Sequence, residues 1–199
     1  LFENDGTGHF TDITAGCGME VSGFFLQSKF VDLDNDGFLD VMIAGGSGSA
    51  HVYMNDADNT FTEIANTFPS NKSMHSFATG DLNNDGFQDV FANYGGGYID
   101  SDASYPDRLW LNNTNANHWF TVQLRGVQSN RDAIGARVTI TGPWGTQIRE
   151  VRAGESYGIV TSFACNFGIG NATTIPTMTI NWPSGLVETF TDLAVDQTI

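Results

Sequence analysis

Oxygen-bearing side chains in the stretch DLDNDGFLD fall at its first, third, fifth and ninth positions, Asp32, Asp34, Asp36 and Asp40, and DLNNDGFQD repeats the spacing with Asp81, Asn83, Asp85 and Asp89. The chemistry open to such a set is coordination of a hard cation, since Ca²⁺ takes six to eight oxygens at roughly 2.3–2.6 Å and tolerates irregular geometry. Glycine occupies the sixth position of each stretch, Gly37 and Gly86, where a chain wrapping an ion must turn sharply. Phe38 and Phe87, at the seventh, offer a backbone carbonyl. Without a cation, carboxylates held this close repel one another and some must take up protons. Both stretches are therefore read as calcium sites, two in all. A polar turn without metal is the simpler reading of one such loop. Its recurrence, with a similar apolar segment after each copy, favours metal. A helix-loop-helix calcium loop would need glutamate at the twelfth position, where Ile43 and Ala92 stand, so that alternative fails.

The elements that must position these loops are strands. Val41-Met42-Ile43-Ala44 and Val90-Phe91-Ala92 are short, apolar and partly β-branched, as buried strands are. The pattern also repeats beyond the loops: Asp81 follows Asp32 by 49 residues (81 − 32), and VYMNDADNTFTEIA at 52–65 aligns without gaps on LFENDGTGHFTDIT at 1–14. Leu109-Trp110-Leu111-Asn112-Asn113 opens a third copy. Each unit reads as strand, cation loop, strand, variable loop, strand, tight turn, strand, which is the make-up of a β-propeller blade. The variable loop is short at 45–50 and long at 94–107, and the longer one, rich in Tyr and Asp, is the expected place for a partner contact. A closed propeller needs at least about four blades, and the chain opens in mid-repeat on Leu1 with no signal peptide. Further blades are expected upstream; failing them, open strand edges need cover from another domain or another copy of the chain.

These residues resemble the FG-GAP or VCBS repeats of integrin-like propellers, whose blades carry a D-x-D-x-D-G-x-x-D calcium loop. The resemblance covers 1–117: the end of one blade, then repeats at about 15–65 and 66–117. Asn83 replaces an aspartate of the pattern. From His118 the pattern changes, and alternation in Trp119–Leu124 and Ala136–Ile140 with a later Thr177-Met178-Thr179-Ile180 predicts a second all-β domain at 118–199. Its landmarks resemble the ASPIC/UnbV domain: Ser129-Asn130-Arg131, Ala133-Ile134-Gly135-Ala136-Arg137-Val138, Gly154-Glu155-Ser156-Tyr157, Phe167-Gly168-Ile169-Gly170 and Trp182-Pro183-Ser184-Gly185. Asn166 stands where that family usually shows His. The expected architecture is all-β, a partial β-propeller of FG-GAP blades followed by a β-sandwich-like ASPIC/UnbV domain. The resemblance implies a place among secreted acidic proteins of the cartilage acidic protein type.

Composition agrees with that setting. Eight Lys+Arg against 23 Asp+Glu give a formal net charge of −15, which opposes binding to nucleic acid or anionic lipid. No apolar run approaches the roughly twenty residues of a membrane helix, so no membrane insertion is expected. Sequons begin at Asn71, Asn112 and Asn171. Cys17 and Cys165 permit one disulfide without establishing it, and two unpaired thiols, or partners lying outside this segment, are the favoured alternative.

For catalysis, one motif invites attention. Gly154-Glu155-Ser156-Tyr157-Gly158 fits a nucleophile elbow, but the elbow needs a helix after the serine and Ile159-Val160-Thr161 is strand-like. The histidines at 9, 51, 75 and 118 show no metal or triad spacing, and Gly45-Gly46-Ser47-Gly48 lacks the ending of a phosphate loop. Trp110, Trp119, Trp144 and Trp182 read as core aromatics rather than a sugar platform. The reading is a calcium-binding extracellular or cell-surface scaffold, adhesion or assembly module, not an enzyme. Its expected partner is an extracellular protein or glycan, or a second copy in self-assembly. The competing class is an accessory region of a secreted enzyme, for example polysaccharide-acting, whose catalytic domain lies elsewhere.

Overall fold

The computed structural model describes residues 1–45, 50–69, 72–94, 105–156 and 159–199. Within them the regular elements are strands, with no helix. The short apolar segments predicted to be strands are strands, and each acidic stretch is the turn between two of them.

β1 (Phe2–Asn4) and β2 (Phe10–Asp12) pair antiparallel. β3 (Gln27–Val31), β4 (Asp40–Ala44), β5 (His51–Asn55) and β6 (Phe61–Glu63) form a four-stranded antiparallel meander in chain order. β7 (Ser76–Gly80), β8 (Asp89–Asn93) and β9 (Arg108–Trp110) form a three-stranded sheet. The repeat seen in sequence is thus a repeat of structure. Aligned tight turns place Gly6 and Ala57, and again Gly8 and Asn59, at positive φ. Tyr53 and Phe61 are 3% and 7% exposed, whereas their counterparts Phe2 and Phe10 are 64% and 62% exposed. Since the residue types match, the difference lies in what stands beside them: β5 has β4 along its edge, and Cys17, Met19 and Val41 pack on Tyr53 and Phe61. The buried Gln27 side chain joins the two repeat sheets, its Nε2 donating to Phe77 O (2.7 Å) and its Oε1 accepting from Phe77 N (2.9 Å). That pairing meets two backbone groups with one amide and leaves none of them orphaned.

The C-terminal segment is a sandwich. β12 (Gly145–Glu150), β11 (Arg137–Gly142), β14 (Thr174–Asn181) and β15 (Val187–Ala194) make one sheet in that order; β13 (Cys165–Gly170), β10 (His118–Val122) and β16 (Gln197–Thr198) make the other, with β16 parallel to β10. Inward residues of both sheets form one core: Phe120, Val122, Phe167 and Ile169 from one, Val138, Ile140, Met178 and Ile180 from the other. Alternation sends these side chains in and leaves Thr139 and Thr141 outside the core. Pro176, which has no N–H to donate, and Asp192 at φ 54° are the one pair missing from an otherwise unshifted β14–β15 register.

By internal contacts the chain divides into two compact units. One holds Leu1–Val31, Leu39–Phe77 and Ala92–Arg108; the other holds Asp32–Phe38, Ala78–Phe91 and Leu109–Ile199. The second acidic stretch and all of the first but Leu39 and Asp40 thus group with the C-terminal sandwich.

Cys17 and Cys165 are free, buried thiols. Burial pushes the Cys165 thiol up to about 11, against the milder opposing pull of Arg149. Because the folded thiol holds its proton well above the ordinary value near 8.5, alkylation at pH 8 should spare Cys165 until the chain is unfolded. Mass spectrometry after iodoacetamide treatment in buffer and in urea checks this; prompt native labelling would contradict it. Truncating Phe167 to Ala in the packed core should cost about 3–5 kcal/mol in denaturant unfolding.

Candidate metal centre

The β3–β4 turn begins at Asp32 and the β7–β8 turn at Asp81. Asn35 and Gly37 take φ of 60° and 97°, and Asn84 and Gly86 take 62° and 86°. Asparagine tolerates the left-handed region and glycine enters it freely, which is why these types stand at the fourth and sixth positions. The hydrogen bonds repeat as well. Gly37 N donates to Asp32 Oδ2 (3.1 Å) as Gly86 N does to Asp81 Oδ2 (2.9 Å). Asp36 N donates to Asp34 Oδ1 (3.2 Å) as Asp85 N does to Asn83 Oδ1 (3.1 Å). Phe38 N reaches Asp36 Oδ1 (2.8 Å) and Phe87 N reaches Asp85 Oδ1 (2.9 Å). The ninth aspartate is held by the asparagine that follows the third strand of the unit or ends it: Asn55 N donates to Asp40 Oδ1 (2.9 Å) and Asn112 N to Asp89 Oδ1 (2.8 Å).

The loops differ in how far they gather their carboxylates. In the first, ligand oxygens of Asp32, Asp34 and Asp40 all lie within 4.8 Å of one another, Asp32 and Asp40 buried and Asp34 half-buried. Asp36 stands outside this trio. Burial, with the charge of Asp34 adding to it, raises its pKa above the usual carboxylate value, opposed by the Phe38 N–H. Among the described residues Asp81, Asp85 and Asp89 form no such group. Asp89 Oδ2 accepts from Leu82 N (2.8 Å), and Asn83 Nδ2 donates to Asp85 Oδ2 (2.8 Å). The amide at the third position thus neutralises part of the demand that an aspartate there would create. Phe38 is exposed and Phe87 buried.

The donor set of the first loop fits a hard divalent cation. It is all carboxylate, with neither the thiolate nor the imidazole that softer metals favour. One positive charge already stands nearby. Burial lowers the pKa of Arg149 from its ordinary value, and the charge of Asp32 opposes that shift in part. Its guanidinium is fixed by Asn166 O (Nε, 2.9 Å), Ile148 O (Nη1, 3.1 Å) and Gln147 Oε1 (Nη2, 3.3 Å), and sits 5.1 Å over the Phe167 ring. Asn166, the departure from the usual histidine, also donates from Nδ2 to Thr121 Oγ1 (2.9 Å).

Sequence reasoning missed the residues around the first loop. Asn112 Nδ2 donates to Leu33 O (2.7 Å), Asn115 Nδ2 and Asn117 Nδ2 to Asp34 O (2.6 and 2.9 Å), and Gly170 N to Asn35 O (2.9 Å). Asn35 Nδ2 reaches Gly86 O in the second loop (3.1 Å). Gly168 is glycine because a methyl there would collide with Asn35 Cα and Asp32 Oδ2, and one on Gly86 would enter the Trp119 ring. The signal available was the run N-N-T-N-A-N at 112–117, dense in amides directly after a repeat strand.

Other candidates fall out as follows. Ser156 makes an isolated bridge to Ile159, and among the described residues the next element is β13; Tyr157 and Gly158 lie outside the described residues. Residues 46–49, Asn71 and 95–104 also lie outside them, which removes from view most of both variable loops and one sequon. Trp144 and Trp182 pack on the sandwich core. Trp182 also lines a shallow cleft of about 290 Å³ with Arg125 and Glu188, its Nε1 donating to Glu188 Oε2 (2.6 Å). Among the described residues no helix is long and apolar enough to cross a membrane.

Residues 32–92 match the FG-GAP-like repeat family, and residues 126–199 match the ASPIC and UnbV family. The chain thus carries an FG-GAP-like repeat followed by a C-terminal ASPIC/UnbV domain, a combination that suggests an extracellular-type β-repeat module. No curated protein matches it.

The sequon at Asn112 uses the same nitrogen that a glycan would occupy, because Nδ2 also donates to Gln88 O (3.2 Å). In folded protein secreted from a eukaryotic host, peptide mass spectrometry should find Asn112 bare; a glycan there in folded material would contradict the geometry.

Proposed function

We propose that this chain is a calcium-stabilised, non-catalytic scaffold or adhesion module that works outside the cell or on its surface. The observation that carries the reading is the trio Asp32, Asp34 and Asp40, gathered within 4.8 Å at the turn of one hairpin. Calcium bound there supplies charge neutralisation and a tie between the two ends of the turn; the second loop, with Asp81, Asn83, Asp85 and Asp89, offers the same spacing for a second ion. The chain's own residues do the rest. Gly37 and Asn35 shape the turn, and Asn55 fixes Asp40. A ligand that binds the folded chain alone stabilises it in proportion to the logarithm of its concentration above Kd. The net charge of −15 adds a general reason for apo self-repulsion. With partners reached through loops that the strands hold in place, the role is one of attachment to an extracellular protein or glycan, or assembly with like chains.

Thermal unfolding of wild type, Asp34→Ala and Asp85→Ala, with calcium, after chelation and after calcium is restored, tests the reading. Calcium should raise the melting temperature of wild type reversibly, by about 3 kcal/mol of stability at a hundredfold excess over Kd. Asp34→Ala should lose most of that rise. An unchanged melting temperature in wild type would leave the loops as polar turns and sink the proposal.

A further inference from the structure

The two acidic loops share a sequence pattern but stand in different surroundings, and beside the change of one ligand type at Asn83 the hydrogen bonding of the backbone differs. Three consecutive carbonyls of the first loop, Leu33, Asp34 and Asn35, accept hydrogen bonds from Asn112, from Asn115 with Asn117, and from Gly170. Asn35 itself is 2% exposed. Gln147 Nε2 donates to Gly168 O (2.7 Å), fixing the strand that Asn35 lies against. In the second loop the residues at the matching positions, Leu82, Asn83 and Asn84, are exposed.

We propose that the segment 112–117 and strand β13 are part of the first cation site, holding the backbone of Leu33–Asn35 in its ligand-presenting shape so that the two loops bind calcium with unequal affinity, the first more tightly. This rests on the calcium reading above. Two physical reasons carry it. A loop whose backbone is already fixed loses little conformational freedom when it closes on an ion, whereas an exposed loop must be ordered by the ion itself. The donors are also neutral amides. Lysine or arginine in their place would satisfy the same carbonyls while repelling the cation; asparagine satisfies them at no electrostatic cost. Asn112, Asn115 and Asn117 are therefore positioning residues, acting on the metal through the carbonyls they hold.

The test is calcium titration calorimetry on the full chain, using calcium alone as the probe. Asp34→Ala and Asp85→Ala assign the two affinities to their loops. The double substitution Asn115→Ala with Asn117→Ala, made also in the Asp85→Ala background, should then weaken the first loop about tenfold and leave the second unmoved, in the range expected when groups that orient metal ligands are removed. A merely structural loss would weaken both loops together, and that outcome overturns the proposal, as does an unchanged first loop. Should the double variant fail to fold, Asn117→Ala alone, which leaves Asn115 on Asp34 O, carries the same comparison with about threefold weakening expected. Absence of calcium binding in wild type would sink both this proposal and the calcium reading; binding with no difference between the loops would sink this one alone.

Discussion

Three carboxylates held within 4.8 Å at one hairpin turn are the constraint that the surrounding structure answers. Like charges at that separation are unfavourable in any medium of low polarity, and two of the three are buried. The fold meets the problem with neutral and positive neighbours. Backbone N–H groups of Gly37 and Asp36 donate to Asp32 and Asp34, Asn55 donates to Asp40, and Arg149 stands in the field of Asp32. Each neighbour reduces the repulsion without removing it. The remaining negative potential is what a hard cation would complete.

The same loop pattern, set in a second place, shows how much of a site belongs to its surroundings. The hydrogen bonds from the sixth-position and seventh-position N–H groups are the same in both loops to within a few tenths of an ångström. Those bonds follow from the local sequence alone. The gathering of carboxylates does not, since it occurs in only one of the two. Asn83 accounts for part of the difference, because its amide donates to Asp85 where an aspartate would repel it. The rest comes from packing that the nine residues do not encode.

The local elements were legible from the chain because their signals are local. Alternation marks the sandwich strands, Asp and Gly spacing marks the turns, and the alignment of 1–14 on 52–65 marks the repeat. Asn112, Asn115 and Asn117 were not legible, since an asparagine in a polar run looks like any loop residue until its acceptor is known, and the acceptors lie some eighty residues away. Gly168 and Gly170 were visible only as part of a family landmark. Their reason, close approach of Asn35 and a bond from Gly170 N to its carbonyl, is tertiary. The different exposure of Phe10 and Phe61 makes the same point within the repeat, where a residue of one type is bare in one copy and buried in the other.

Change of sequence pattern and membership of a compact unit are separate properties of this chain. The pattern changes at His118, where acidic repeats give way to the sandwich. The contacts follow another division, placing Asp32–Phe38 and Ala78–Phe91 with the sandwich while the strands flanking the first loop stay with the repeats. Three carbonyls of that turn are held by residues 112–117 and by Gly170, which belong to the same compact unit as Asp32–Phe38. Neutral asparagine donors make such an arrangement compatible with metal binding, because they hold the loop's backbone without competing for the charge of its carboxylates. Through Gly170 and the preceding amides, the shape of the first acidic loop depends on residues some eighty to 135 positions further along the chain.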